Sequence, residues 1–367
     1  MHIENENLNS FKPSYPLETI APPEGSLFLD IETTGLSAQN CQIYLIGVAY
    51  HAANHWHIRQ WFAENADEEA DIIRAFFDFA QRFNHLIHFN GNTFDLPFIK
   101  KRGMAQGVAA SFEHFTGLDI YRRITPYRRL LGLKDCKQKS VEAFLGIERV
   151  DTLSGGDLIA LYHSYATKPT PQARTALLLH NSCDLMGMLE MLPVLAYHDL
   201  FNGEIRARKV QANYYSDIHG AAKNMLYMKL ALPSMLPRRL SFNSMGCYFK
   251  DEGEEAYLAV PIYEEEMKYF YAAYKDYYYL PAEDVALHKS IAAYVDKAYR
   301  KAATPATCYT KKSATFLPQW ELLVEPFFKR EHGSKDIFFE LTDERKKDRA
   351  FFATYSSHIL NAMLAHF

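Results

Sequence analysis

The sequence predicts an α/β chain in two parts: a mixed β-sheet flanked by helices over residues 24–198, then a smaller α+β C-terminal part over 199–367. Three observations carry this. Apolar patterns in the first part run in the order strand, hairpin, helix, strand, helices, which is the order of a mixed sheet covered on its faces. The pattern changes character near 198–210. A chain of 367 residues, 48% hydrophobic and 14% aromatic, has enough apolar material for about two domains with sizeable cores.

Each element follows from its own stretch. Residues 1–23 are polar and then punctuated by Pro13, Pro16, Pro22 and Pro23, which reads as an irregular lead-in. "SLFLDIETTG" (26–35) is an apolar run stopped by Thr33, Thr34 and Gly35, as expected of a buried strand. "QIYLIGVAYHAANHWHIRQWFA" (42–63) has two β-branched and aromatic runs around "HAANH", a hairpin signal. "DEEADIIRAFFDFAQRF" (67–83) has helical period, with Ile72, Ile73, Phe76, Phe77, Phe79 and Ala80 on one side. Its first turn carries Asp67, Glu68 and Glu69, where the helix dipole favours them. "HLIHFN" (85–90) reads as a short strand, and "TFDLPFIKKRG" (93–103) as a helix ending at Gly103.

From 133 to about 195 the pattern is mostly helical, and its longest helix covers 171–197. Beyond the boundary, "FNGEIRARKVQANYYSD" (201–217) has no clear period. Runs at 256–263 and 306–317 read as strands, and runs at 281–303 and 346–367 as helices. "KYFYAAYKDYYYL" (268–280) reads as helical, with tyrosines along a core edge and their hydroxyls in water.

Composition excludes several classes. Net charge is −4, so the molecule as a whole is no polybasic nucleic-acid binder, although a local basic path suffices for an enzyme. The five cysteines, Cys41, Cys136, Cys183, Cys247 and Cys308, are scattered and form no C-x-x-C pair. That argues against a disulfide framework or a structural zinc, and for a reducing compartment. The N-terminus lacks the regions of a signal peptide, and no apolar run reaches the length of a membrane span. The expectation is a soluble cytoplasmic protein with no membrane partner.

The chemistry is carried by carboxylates. Residues two apart on a strand share a face, so Asp30 and Glu32 project side by side. Like charges so placed call for a cation between them. Asp95 follows a strand at a helix start, and His180 and Asp184, four apart, share one helical face. Four carboxylates suit a cage for two divalent ions roughly 3.5–4 Å apart, and Mg²⁺ or Mn²⁺ prefers such oxygens. His180, titrating near neutrality, suits the role of proton acceptor. Asn90, Lys137 and Lys139 are candidate substrate contacts.

Plainer roles compete with each of these. Asp95 is also a possible helix N-cap, His180 a core histidine, Asn90 a turn residue, and the lysines a solvated helix end. Asn181 fits equally a partner of the site or helix surface. Asp119 reads as structural and stays outside the metal set. In the second part, the basic stretch "CYTKKSATF" (308–316) is where contacts to nucleic acid are to be sought.

"LFLDIETTGL", "FNGNTFDLPFI" and the later H-N-x-x-D at 180–184 resemble the DnaQ-like (DEDD) 3′–5′ exonuclease superfamily. More closely they resemble its YprB-type ribonuclease H-like branch, as do "GLDIYR" and 133–165 between the motifs, over about residues 25–195 in all. His180 precedes Asp184 by four residues, the spacing the tyrosine subclass gives its tyrosine. The resemblance implies a ribonuclease H-like mixed sheet and a two-metal 3′–5′ exonuclease. Its partner would be a single-stranded RNA or DNA end. Asp30, Glu32, Asp95 and Asp184 would be the metal ligands and His180 the general base. A nucleic-acid-binding module with weak catalysis, or a hydrolase of small phosphoesters, would fit the same carboxylates.

Overall fold

The computed structural model of the chain describes residues 1–216 and 222–367, which divide into two units, Met1–His198 and Asp199–Phe367. The first unit is built on six strands: β1 (His2–Leu8), β2 (Ser26–Thr33), β3 (Ile43–Ala52), β4 (His55–Phe62), β5 (His85–His88) and β6 (Thr116–Asp119). Their order in the sheet is β1-β4-β3-β2-β5-β6. β2 pairs antiparallel with β3 and parallel with β5, so the sheet is mixed as expected. The β3–β4 hairpin closes at Ala53 and Asn54, both at positive φ (48° and 65°). Two such residues make the tight turn whose twist matches the strands it joins.

Helices cover both faces. α1 (Glu69–Ala80) and α2 (Asp95–Ala105) bury Ile72, Ile73, Phe76, Phe98 and Ile99 against Leu27, Leu29, Ile46 and Val48. After the short α3 (Ile120–Ile124) come α4 (Gln138–Leu145), α5 (Gly155–Thr167) and α6 (Pro171–Glu190). α5 and α6 pack Leu158, Tyr162, Leu177 and Leu178 with Tyr44, Leu45 and Phe62 of the other sheet face. Leu27, Leu29 and Ile31 of β2 belong to the α1 side. By alternation, Asp30 and Glu32 therefore turn to the α6 side. α6 starts at a Thr170 cap with Pro171 in its first turn, and α7 (Ala196–Asn202) ends this run of helices.

Residues 1–23, expected to be an irregular lead-in, begin with a strand. β1 pairs with β4 over its whole length, from His2↔Phe62 to Leu8↔Trp56. Five of its seven residues are exposed. A strand held at the sheet edge by backbone hydrogen bonds needs no apolar alternation, and this one has none.

The second unit is antiparallel. Its first sheet takes β7 (Arg206–Ser216), β8 (Ala222–Ala231), β9 (Ser241–Ser244), β10 (Cys247–Asp251) and β11 (Glu255–Pro261). β12 (Tyr263–Phe270), β13 (Tyr277–Leu280), β14 (Val285–His288), α8 (Lys289–Ala292), β15 (Lys301–Ala302), β16 (Tyr309–Gln319), β17 (Phe327–Phe328), β18 (Ile337–Glu340) and α9 (Arg349–Ala365) follow. They give a four-stranded sheet, β12-β16-β18-β17, and a three-stranded one, β14-β13-β15. The expected strands at 256–263 and 306–317 and the C-terminal helix are present. The 201–217 stretch contains β7, and its Asp217 lies outside the described residues.

Two helical readings are corrected here. Residues 268–280 end one strand and form another, and in 281–303 only Lys289–Ala292 is α-helical. Asp284 turns the β13–β14 hairpin at φ 55°, and its carboxylate accepts from Tyr279 Oη (2.6 Å), Tyr309 Oη and Lys311 Nζ (3.0 Å). That hub outweighs the helix propensity of the alanines that follow.

Candidate metal centre

Asp30 and Glu32 lie at the end of β2 that outruns its partner β5, whose last pair is Leu29↔His88. Beyond that point the Ile31 amide has no strand to bond, and Asp95 Oδ1 accepts from it at 3.2 Å. Asp95 is the first residue of α2, whose cap position is Phe94, so it serves β2 and not its own helix as an N-cap. α6 brings the rest. His180 Nε2 lies 3.2 Å from Asp184 Oδ2 and 3.8 Å from Glu32 Oε1. Ligand atoms of Glu32, His180 and Asp184 all fall within 4.8 Å of one another.

Four acids crowd here, Asp95 buried and Asp30, Glu32 and Asp184 half-buried. Burial, then the charges of Asp184, Glu32 and Asp95, raise the Asp30 pKa well above its ordinary value, while an Asn181 hydrogen bond pulls it back. Burial raises Glu32 to about 8; the His180 charge opposes this and Asp184 and Asp95 add to it. Burial raises Asp95 to about 7 against backbone hydrogen bonds that favour its charge, with Asp119 and Asp184 adding to the rise. Such a set is poorly matched to its own surroundings and well matched to divalent cations. The hard carboxylate oxygens fit Mg²⁺ or Mn²⁺.

Three residues that the sequence reading did not select complete the site. Asp151 Oδ2 sits 2.7 Å from His180 Nδ1. Arg149 Nε donates to Asp151 Oδ1 at 2.7 Å. Its Nη1 donates to Asp184 Oδ1 at 2.7 Å and to Glu142 at 3.0 Å. Burial works against the Asp151 charge, but Arg149 and His180 outweigh it and bring its pKa to about 2. Burial also works against a charged His180, yet the Asp184 hydrogen bond and the Asp184, Glu32 and Asp151 charges leave its pKa raised. Arg149 and Asp151 lie between α4 and α5, where no apolar period marks a position and where Glu148, Thr152 and Ser154 make charged and polar residues unremarkable.

Asn181 is fully buried and is not helix surface. It donates to Asp30 Oδ2 at 2.7 Å and accepts from Gln60 Nε2 at 2.8 Å. Gly47 of β3 makes room for it: a Cβ built there would lie 1.8 Å from Asn181 Oδ1. Gly47→Ala is therefore expected to destabilise the protein by about 1–3 kcal/mol, read by urea unfolding against wild type.

The candidate substrate contacts are dispersed. Asn90 holds a turn at φ 61°, its amide donating to Asp119 Oδ1 and its side chain accepting from Thr93 Oγ1. Lys139 Nζ lies 3.5 Å from Asp151 Oδ2 and 3.2 Å from the Leu153 carbonyl, tying down the loop that carries Asp151. Lys137 is exposed at the start of α4. Asp119 also accepts from the Asn92 amide.

Among the described residues no helix is long and apolar enough to cross a membrane. A family model of the RNase H superfamily matches residues 27–196. A search of curated proteins finds no match. Solved structures similar to the chain include a family B DNA polymerase from the archaeon Pyrobaculum calidifontis, at 13% identity and TM-score 0.39, over 71% of this chain and 37% of that one. Another is E. coli ExoI in a zinc-bound complex with single-stranded DNA, at 10% identity and TM-score 0.29, over 56% and 54%. A third is an exonuclease I without ligand, at 14% identity and TM-score 0.26, over 56% of each chain. The chain thus spans from about a third to just over half of the length of these proteins.

Proposed function

We propose that the protein is a metal-dependent 3′–5′ exonuclease of single-stranded nucleic acid, its chemistry carried by residues 27–196, the span that an RNase H-superfamily model matches. The observation that carries this reading is the convergence of Asp30, Glu32, Asp95 and Asp184, whose charges oppose one another in a buried site. Asp30, Glu32, Asp95 and Asp184 are the proposed ligands of two Mg²⁺ or Mn²⁺ ions. Bound there, the ions would neutralise charge at the scissile phosphate and acidify a water.

The chain's own groups do the rest. Asn181 holds the Asp30 carboxylate in one orientation, and the Ile31 amide does the same for Asp95. Arg149 occupies Oδ1 of Asp184, and His180 Nε2 faces its Oδ2 at 3.2 Å. Asp151 engages His180 Nδ1 and turns Nε2 toward Asp184 and Glu32, so that Nε2 would be free to take the water's proton once bound ions hold those carboxylates. Such an outer partner is worth about 10–100-fold in activity or metal affinity. Asp151→Asn is accordingly expected to lower kcat by that factor with little change in KM. It should also alter the ring-nitrogen shifts of His180 in ¹⁵N NMR, which a merely destabilised fold would not do.

The test is a gel assay on 5′-labelled single-stranded RNA and DNA with Mg²⁺, Mn²⁺ or chelator. A metal-dependent ladder shortening from the 3′ end is the expected result and names the preferred sugar. Internal cuts would replace the exonuclease by an endonuclease. No cleavage of either strand, or cleavage only of a competing nucleotide monoester, would overturn the proposal.

A further inference from the structure

The basic strand singled out in the second part is neutralised by the fold. On β16, Lys311 Nζ lies 3.0 Å from Asp284 and 3.7 Å from Glu266, and Lys312 Nζ lies 2.7 Å from Glu340. The segment from His288 to Lys301, between β14 and β15, is treated differently. Its cations are Lys289, Lys297, Arg300 and Lys301, and among the described residues none of them lies in an ion pair with a carboxylate. Its one acid, Asp296, is used locally, accepting from the Ala298 amide at 2.9 Å.

The same segment leaves rings in water. Tyr294 is 92% exposed and Tyr299 67%. Most of the described tyrosines bury at least part of the ring, as Tyr271 and Tyr277 do by stacking at 4.6 Å. Lys289, Arg300 and Lys301 gather about Tyr278 and Tyr279 of β13, and the exposed rings lie within the same short segment, Tyr294 two residues after Ala292 and Tyr299 next to Arg300. Arg300 lies over the Tyr278 ring at 4.8 Å and Lys289 at 5.7 Å, and Arg300 also donates to the Ala292 carbonyl. Lys301 pairs in register with Tyr279, the residue next to Tyr278.

We infer that residues 288–301 form a docking surface for single-stranded nucleic acid. Lys289, Lys297 and Lys301 meet phosphates, and Tyr294 and Tyr299 stack on bases. Bare positive charge on a chain of net charge −4 selects a polyanion. Two exposed π-faces among those charges select a polyanion that carries rings of its own, which favours an unpaired strand over an anionic lipid surface. This rests on the nuclease reading for its choice of partner. It adds a hold on the strand that does not use the carboxylates.

The experiment measures binding without turnover. Full-length protein carrying Asp30→Asn is titrated in chelator with fluorescein-labelled single-stranded RNA and DNA, with and without two further sets of changes. Charge reversal at Lys289, Lys297 and Lys301 to Glu is expected to weaken binding at least tenfold, and to lower the slope of log K against log salt by about 2. Tyr294→Ala with Tyr299→Ala is expected to weaken binding by about tenfold or more at an unchanged slope. All five positions are exposed, so circular dichroism should match the parent. Affinity and slope unchanged in both sets would overturn the proposal. So would equal or tighter binding to phosphatidylserine vesicles that the same changes abolish, which would make the surface a membrane contact. Failure of the nuclease reading shows instead as wild-type protein that does not cleave with Mn²⁺, whatever the binding arm gives.

Discussion

Asp30→Asn is expected to reduce metal-dependent cleavage by at least about a thousandfold, the equivalent of some 4 kcal/mol in the barrier, while leaving the protein folded. The change is isosteric. The new side-chain oxygen can still accept from Asn181, so the packing under the site survives. What is lost is one of four negative charges, and with it the pull on a divalent ion. Because Asp184, Glu32 and Asp95 all act on Asp30, removing its charge also relieves its neighbours. The variant's metal-free form should therefore melt higher than wild type at pH 8. Single-turnover cleavage of a labelled oligonucleotide, together with calorimetric titration of Mn²⁺, checks both halves. Turnover within tenfold of wild type would sink the two-metal assignment. Lost turnover with unaltered Mn²⁺ binding would move Asp30 from holding metal to holding substrate.

Much of this site was legible in the sequence because its parts obey local periods. Asp30 and Glu32 alternate with the core residues Leu29 and Ile31, and His180 and Asp184 are one helical turn apart on α6. Asp95 was legible as the residue where a strand gives way to a helix. Arg149 and Asp151 were not, since they sit in a connection whose conformation is set by the partners it finds, Glu142, His180 and Asp184. Asn181 was ambiguous for a different reason. A polar residue beside a helix's site face is as often wet as buried, and only the close approach of Gly47 on β3 decides which.

The fold shows the same division. β2, the β3–β4 hairpin, α1 and α6 carry strong apolar patterns and were readable. β1 is polar, and β7 has a bulge between Ala207 and Lys209 that breaks its alternation. In 281–303 the alanine-rich composition favours a helix. The chain instead forms a hairpin, a single helical turn and an edge strand, because Asp284 binds three donors and Ala303 and Cys308 pack in a small core of their own beneath Tyr277 and Tyr279.

The stability of the metal-free protein should fall as pH rises from about 5 to about 8.5, and added Mn²⁺ should restore it. The sign follows from the direction of each shift. Glu32 at about 8 and Asp95 at about 7 both titrate above their unfolded values in the native state, as does Asp30. The native protein therefore binds these protons more tightly than the unfolded chain does. Their contribution is fully present below about pH 4 and is lost as pH passes through the native values. His180, also raised, loses its contribution in the same direction. Asp151, lowered to about 2, acts only on the acid side, where stability is lost as pH falls below its ordinary range. Each proton can contribute at most about 1.4 kcal/mol per pH unit, so several acting together should move the melting temperature by many degrees across this range. Scanning calorimetry of chelator-treated protein at steps of pH gives the curve. Asp30→Asn should flatten it, and at pH 8 Mn²⁺ should raise the wild-type melting temperature far more than that of the variant. A metal-free wild type that melts at the same temperature at pH 5 and pH 8.5 would mean that the carboxylates already share a compensating cation. Arg149, in direct contact with Asp184, would then be the group to replace.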